Sequence, residues 1–85
     1  MDALHKEASM KPTKKTLREI KRLVAYFGGT ETLTADAVGV RQPTVNAWLN
    51  GRHGISAITA LKIERMTGGK FKASDLCPQL AEVAA

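Results

Sequence analysis

The stretch from Thr34 to Leu49 decides the fold, and it reads TADAVGVRQPTVNAWL. Ala35 and Val38 lie three residues apart and can share one face of a helix, and Gly39 follows at once. Glycine reaches positive φ without a Cβ clash, so it can end one helix and turn the chain. The spacing i, i+3, i+4 then recurs in three apolar residues, Val45, Trp48 and Leu49. Two short helices that meet at one glycine predict a helix-turn-helix.

Pro43 fixes the predicted start of the second helix. A proline suits the first helical turn, where its missing N–H needs no partner. The residue before a proline avoids the α region. Gln42 is therefore the predicted N-cap, and Pro43 the first helical residue.

The pattern resembles the helix-turn-helix of Cro and repressor proteins. The small residue, the turn glycine and the apolar plugs of that motif fall on Ala35, Gly39, Val40, Val45 and Trp48. The wider stretch looks like Cro-like regulators of prophages and the similar YdaS-type proteins; it reads YFGGTETLTADAVGVRQPTVNAWLNG and continues into GISAITALKIERMTGG. The likeness covers 16–76 and implies an all-α, compact, lambda repressor-like domain of four to five helices.

Two residues depart from the family pattern. Thr34 is polar where many relatives have an apolar residue, and Arg41 stands where a Ser or Thr cap is common. These departures concern the start of the second helix and leave the predicted fold unchanged.

The flanking segments supply two longer helices, one before the motif and one after it. The first is capped by Thr13 or Thr16 and runs to Phe27. It has an apolar stripe formed by Leu17, Ile20, Leu23, Val24 and Phe27. The first helix of the motif is shorter and runs from Thr30 or Glu31 to Val38, with Thr30 as the predicted cap.

Ser56 caps the last long helix, which ends at Gly68 and Gly69. Its apolar residues spread over more than one face. Either two sides are buried in a small bundle, or part of this surface meets a second subunit together with the Phe71–Leu76 region. The family resemblance favours a homodimer. The segment after the glycines is predicted to be a short helix or irregular, with one helical turn before Pro78.

Length and composition limit the class of protein. Eighty-five residues predict one domain, divided as a flexible arm (1–12), the DNA-binding domain (13–76) and a loose tail (77–85). The sequence lacks an apolar run of about 18 residues and a secretory signal at its N-terminus. A single cysteine, Cys77, fits a reducing cytoplasm. We expect a cytoplasmic protein.

Positive charge is concentrated in the middle of the chain. The net charge is +5, and the span 11–72 holds twelve basic and four acidic residues. Such an excess suits a polyanion, because neutralised phosphates release counterions. A solvated basic surface is the simpler interpretation.

The exposed side of the second motif helix is uncharged. With 100° per residue, the side opposite its apolar residues carries Pro43, Asn46, Ala47 and Asn50. An amide can bond both N6 and N7 of adenine, and an alanine methyl can touch the thymine methyl. The alternative is a short exposed helix with routine polar residues.

The family resemblance extends this candidate interface. It implies base contacts for Arg41 and Gln42, at the N-terminal end of the reading helix. It implies backbone contacts for Arg52 and His53, although His53 also fits a plain loop histidine.

The helix that begins near Glu31 abuts a phosphate in related repressors. A carboxylate stabilises a helix N-terminus but repels phosphate, so the contact is predicted for Thr32 or for main-chain N–H groups. Thr44 is a further predicted backbone contact.

The sequence shows no catalytic constellation, cofactor motif or metal-ligand spacing, which predicts a non-enzyme without a metal site. We expect a Cro-like repressor that binds a near-palindromic double-stranded DNA operator as a homodimer and has no membrane partner. The competing class is a small helical module whose basic face meets a protein or an anionic membrane. An antitoxin is a further possibility.

Overall fold

The computed structural model describes residues 12–80, in which five helices follow one another without any strand. They are α1 (Lys14–Tyr26), α2 (Glu31–Val38), α3 (Gln42–Leu49), α4 (Ala57–Met66) and the single turn α5 (Ala73–Leu76). The last described residues, 78–80, are helical again. Except for Pro12, the predicted N-terminal arm lies outside the described residues. The all-α prediction is confirmed.

Local signals set the boundaries of α1. The Thr13 side chain accepts the Thr16 N–H at 3.2 Å, whereas Thr16 itself is buried within the helix. Thr13 is therefore the cap. In the predicted apolar stripe, Ile20 and Leu23 are fully buried, and the other three residues pack against the core partly exposed.

The helix-turn-helix forms as predicted around Gly39. Thr30 caps α2 by accepting the Leu33 N–H at 3.1 Å, and α2 ends at Gly39 with φ +85°. The N–H groups of Gly39 and Val40 both donate to the Ala35 carbonyl, at 2.8 and 3.0 Å. This arrangement is the left-handed helix end that glycine favours.

The predicted start of α3 is wrong by one residue. Arg41 is the N-cap, with extended backbone and no side-chain capping bond, and Gln42 is already helical. The Arg41 carbonyl accepts the N–H groups of Thr44 and Val45 at 2.9 and 3.4 Å. These bonds, with a side-chain bond from Gln42 to Glu31, outweigh the steric bias against a helical residue before Pro43.

The hydroxyl group of Thr34 is hydrogen-bonded inside the core. Its side chain is fully buried, and its hydroxyl donates to the Thr30 carbonyl at 2.9 Å. The methyl group can then take the place of the apolar residue found in many relatives.

The segment after Gly69 folds back into the core, which removes Phe71 and Leu76 from the predicted subunit contact. Phe71 and Leu76 are each 1% exposed, so their side chains cannot meet a second subunit. The Phe71 ring packs edge-on against Tyr26, with 5.5 Å between centroids, and lies 5.2 Å from the Arg22 guanidinium carbon. The apolar burial of Phe71 against α1 is the physical reason for this placement.

The packed region also extends past the boundary that we placed at Leu76. Cys77 is buried, and Leu80 packs against the core partly exposed. The remaining tail, 81–85, lies outside the described residues. Within 12–80, no helix has the length and apolar character needed to cross a membrane.

Candidate nucleic-acid interface

The surface of α3 is the candidate interface, and most of its predicted face is exposed. Gln42, Pro43 and Asn50 are exposed, and Asn46 is half-buried between them. At about 100° per residue, these four side chains fall within one arc of about 100°. The exposed arc of α3 thus carries three amides and a proline ring, and no charge.

Ala47 does not belong to this arc. Its side chain is buried at 7% exposure, although the sequence placed it on the exposed side of the helix. The contact of its methyl with thymine stays a prediction. The helix packs against both α1 and α2, and burial from Ala47 through Trp48 to Val45 covers about half of its circumference. The sequence pattern showed only the narrower stripe.

A hydrogen-bond chain joins the amides to α2. The Glu31 carboxylate accepts from Gln42 Nε2, and its two oxygens accept from Asn46 Nδ2 at 3.1 and 3.3 Å. Asn50 Nδ2 in turn donates to Asn46 Oδ1 at 2.8 Å. We call Glu31, Gln42, Asn46 and Asn50 the amide network. It links both helices of the motif at their exposed side.

Two arginines flank α3. Arg41 precedes its first residue and Arg52 follows its end, and both are exposed. Within 12–80, neither has an ion-pair partner. An eight-residue helix is about 12 Å long, so the flanking charges lie at opposite ends of a short neutral surface.

The other predicted backbone contacts differ in exposure. Thr32 is exposed in the first turn of α2, Thr44 is half-buried, and His53 is exposed with Nδ1 at 3.3 Å from the Gly54 carbonyl oxygen. The exposed side chains of Thr32 and His53 are therefore better placed for the predicted backbone contacts than the half-buried side chain of Thr44.

Three of the acidic side chains elsewhere bind partners in the protein. Glu19 pairs with Arg22 at 2.7 Å. Glu64 accepts the N–H of Ala73, the first residue of α5, at 2.7 Å, and Asp75 lies 3.9 Å from Lys15. Across the described residues, no group of three or more His, Cys, Asp or Glu could hold a metal ion.

Comparison with known proteins identifies the family. The family model described as "Bacterial toxin YdaS" matches residues 20–83, which is most of the chain. The chain belongs to the YdaS family. This YdaS-family chain is also 50% identical over 58 residues to "Regulatory protein cro" of Pseudomonas phage D3. That alignment covers 68% of this chain and 78% of the relative. No solved structure matches. The resemblance to Cro-like and YdaS-type proteins is confirmed.

Glu31 is the residue of this YdaS-family chain that sequence reasoning missed. The sequence predicts its place at the start of α2, but not its bonds to the side chains of α3. Its partners lie 11 and 15 residues away, and no helical periodicity connects them. The only signal in the sequence is an acidic residue at the start of the first motif helix, followed by amides in the second.

Proposed function

We propose that this protein is a sequence-specific, double-stranded DNA-binding transcriptional regulator, most simply a Cro-like repressor, with α3 in the major groove. The observation that carries the proposal is the neutral, amide-bearing arc of α3 between two exposed arginines. The major groove admits an α-helix, and amides can bond base edges there. Arg41, at the start of the helix, is placed for a base edge, and Arg52, after its end, is placed for a phosphate.

This placement separates the candidate base contacts from the candidate backbone contacts. Gln42, Pro43 and Asn50 are the candidate base-contacting residues, with Arg41 at the helix start. Arg52 and His53 are proposed to contact the backbone. Contacts of this second kind supply affinity without sequence preference, and each phosphate contact adds to the salt dependence of binding.

We also propose that the regulator acts as a homodimer. The apolar material that α4 leaves exposed includes Ile58, at 82% exposure, and Leu61, at 50%. These two residues are three apart and share one side of the helix. Their exposure supports a subunit contact through α4, without the buried side chains of Phe71 and Leu76.

The relatives carry two names, toxin and regulatory protein. The regulatory role is the conclusion here, because the exposed arc of α3 suits base readout. A helical interaction module, or an antitoxin that acts through protein contacts, would not need a neutral surface between two arginines.

Selection of bound sites from random duplexes tests the function. We expect enrichment of one short motif by the wild type. Gln42→Ala should keep weak, salt-dependent DNA binding but lose preference at one or two positions of the motif. Binding without any enriched motif would instead favour the basic interaction module.

A further inference from the structure

Glu31 controls the orientation of the reading amides. A carboxylate has only acceptor atoms, so any amide bonded to it must turn an NH₂ group toward it. Gln42 and Asn46 both do so. Asn50 then donates to the carbonyl oxygen of Asn46. All three amide nitrogens therefore point along the chain of bonds that ends at Glu31.

The amide atoms that face away from Glu31 determine which groups α3 can bind. Asn46 is half-buried, and both its nitrogen and its oxygen bond within the amide network. Gln42 and Asn50 are exposed, and their nitrogens are directed inward. Each of these nitrogens keeps a second N–H, but the carbonyl oxygens of Gln42 and Asn50 make no bond in the amide network, so the outward ends of both side chains are hydrogen-bond acceptors.

We propose that Glu31 is a specificity-determining residue, which fixes α3 as an acceptor surface for base edges that donate. In the major groove these donors are the N6 amino group of adenine and the N4 amino group of cytosine. Guanine presents O6 and N7, both acceptors, and is disfavoured opposite a carbonyl oxygen. Glu31 acts through the amides, so it is a positioning residue. This inference rests on the proposed DNA-binding function.

The position of Glu31 explains how a negative charge can be held beside DNA. It is the first residue of α2, where the helix dipole stabilises a carboxylate. The same charge repels phosphates and lowers affinity for every duplex. A residue that only stabilised the helix would not need to bind two side chains of α3.

Three variants separate orientation from charge. Glu31→Gln removes the charge and introduces an amide that can either donate or accept. Glu31→Asp keeps the charge but shortens the side chain, which withdraws it from Gln42 and Asn46. Asp36→Asn is the matched control, because it removes one negative charge from an exposed position of the same helix.

Site selection and binding titrations on these variants test the inference. In the wild type, adenine or cytosine should be preferred over guanine at the positions that Gln42 and Asn50 face. Glu31→Gln and Glu31→Asp should both reduce that preference, on the order of tenfold. Asp36→Asn should keep the preference and strengthen binding to all duplexes alike. Unchanged preferences in both Glu31 variants would overturn the inference and leave the proposed function intact.

The DNA-free protein provides an independent measurement. The side-chain NH₂ signals of Gln42 and Asn46 in ¹H–¹⁵N NMR spectra should move in Glu31→Gln and stay in place in Asp36→Asn. Signals that are the same in both variants would show that the amides are not held by Glu31. A wild type that selects no sequence at all would remove the proposed function, and this inference with it.

Discussion

Trp48 shows how a single residue of α3 supports the whole domain. It is 2% exposed and belongs to the core that joins α3 to the other helices. Its neighbour in the sequence, Leu49, is only partly buried, and Asn50 is exposed. Trp48 thus anchors α3 in the core, while side chains one or two positions later already reach solvent.

We predict that Trp48→Ala unfolds the domain or leaves it marginally stable. Loss of a large aromatic from a core costs about 3 to 5 kcal/mol, which approaches the whole stability of a small domain. Trp48→Phe retains most of the buried surface and should melt cooperatively at a lower temperature. Circular dichroism melts compare the two; a native-like melt for Trp48→Ala would contradict the core role.

At the scale of elements, the turn between α2 and α3 depends on backbone conformation as well as on packing. Gly39 has φ +85°, and a Cβ built there would lie 2.7 Å from Lys62 Nζ on α4. Gly51, after α3, has φ +74° with open space around the same position. The two glycines therefore differ in steric contact more than in conformation.

We predict that Gly39→Ala and Gly51→Ala destabilise the domain by similar amounts. Both variants incur about 1 to 2 kcal/mol for a left-handed non-glycine residue. The atom that a Cβ at position 39 would meet is the far end of the flexible, exposed Lys62 side chain, which can move aside at little cost. Denaturant unfolding of the wild type and the two variants measures the losses. A much larger loss for Gly39→Ala would show that the lysine cannot move.

Variants of Arg52 and Gln42 should weaken DNA binding in different ways. Arg52→Ala should weaken binding to every duplex by a similar factor and lower the salt slope by about one. Gln42→Ala should act mainly on the preferred site. Titrations at several salt concentrations on specific and random DNA distinguish these effects. Lys21→Ala, which removes an exposed charge from α1, is the control for net charge. An Arg52→Ala loss confined to the preferred site would place Arg52 among the base contacts.

At the scale of the whole molecule, α3 is short, and its exposed arc carries no charge. Such a helix contacts few base pairs, and a single domain would compete poorly against genomic DNA. A two-fold axis would place two copies of α3 in successive major grooves, about 34 Å apart. The exposed apolar side of α4 is the surface that we propose for that contact.

We predict that the preferred site is a near-palindrome with half-sites about one helical turn apart. Inserting about half a turn, roughly 5 base pairs, should abolish tight binding because one half then faces away. Footprinting on the native and extended sites measures the effect. Ile58→Asp should reduce both dimerisation, measured by sedimentation, and binding to the intact site. A single half-site bound equally well with and without the insertion would contradict the dimer.

Sequence alone determined the elements whose causes are local. Thr30, Ser56 and Gly39 act on backbone groups three or four residues away, so the caps and the turn of the motif could be predicted. The buried residues Ile20 and Leu23 lie at helical spacing along α1. The exposed arc of α3 followed from periodicity for all but one of its predicted members.

Only the tertiary structure decided features that depend on how helices face one another. Ala47 is buried because α3 packs on two helices, and periodicity within α3 cannot reveal a second neighbour. Phe71 turned inward because the chain after Gly69 returns to α1. Glu31 meets Gln42 and Asn46 because the turn at Gly39 sets the crossing of α2 and α3. Such contacts arise from the relative placement of distant residues, which local propensity and spacing do not specify.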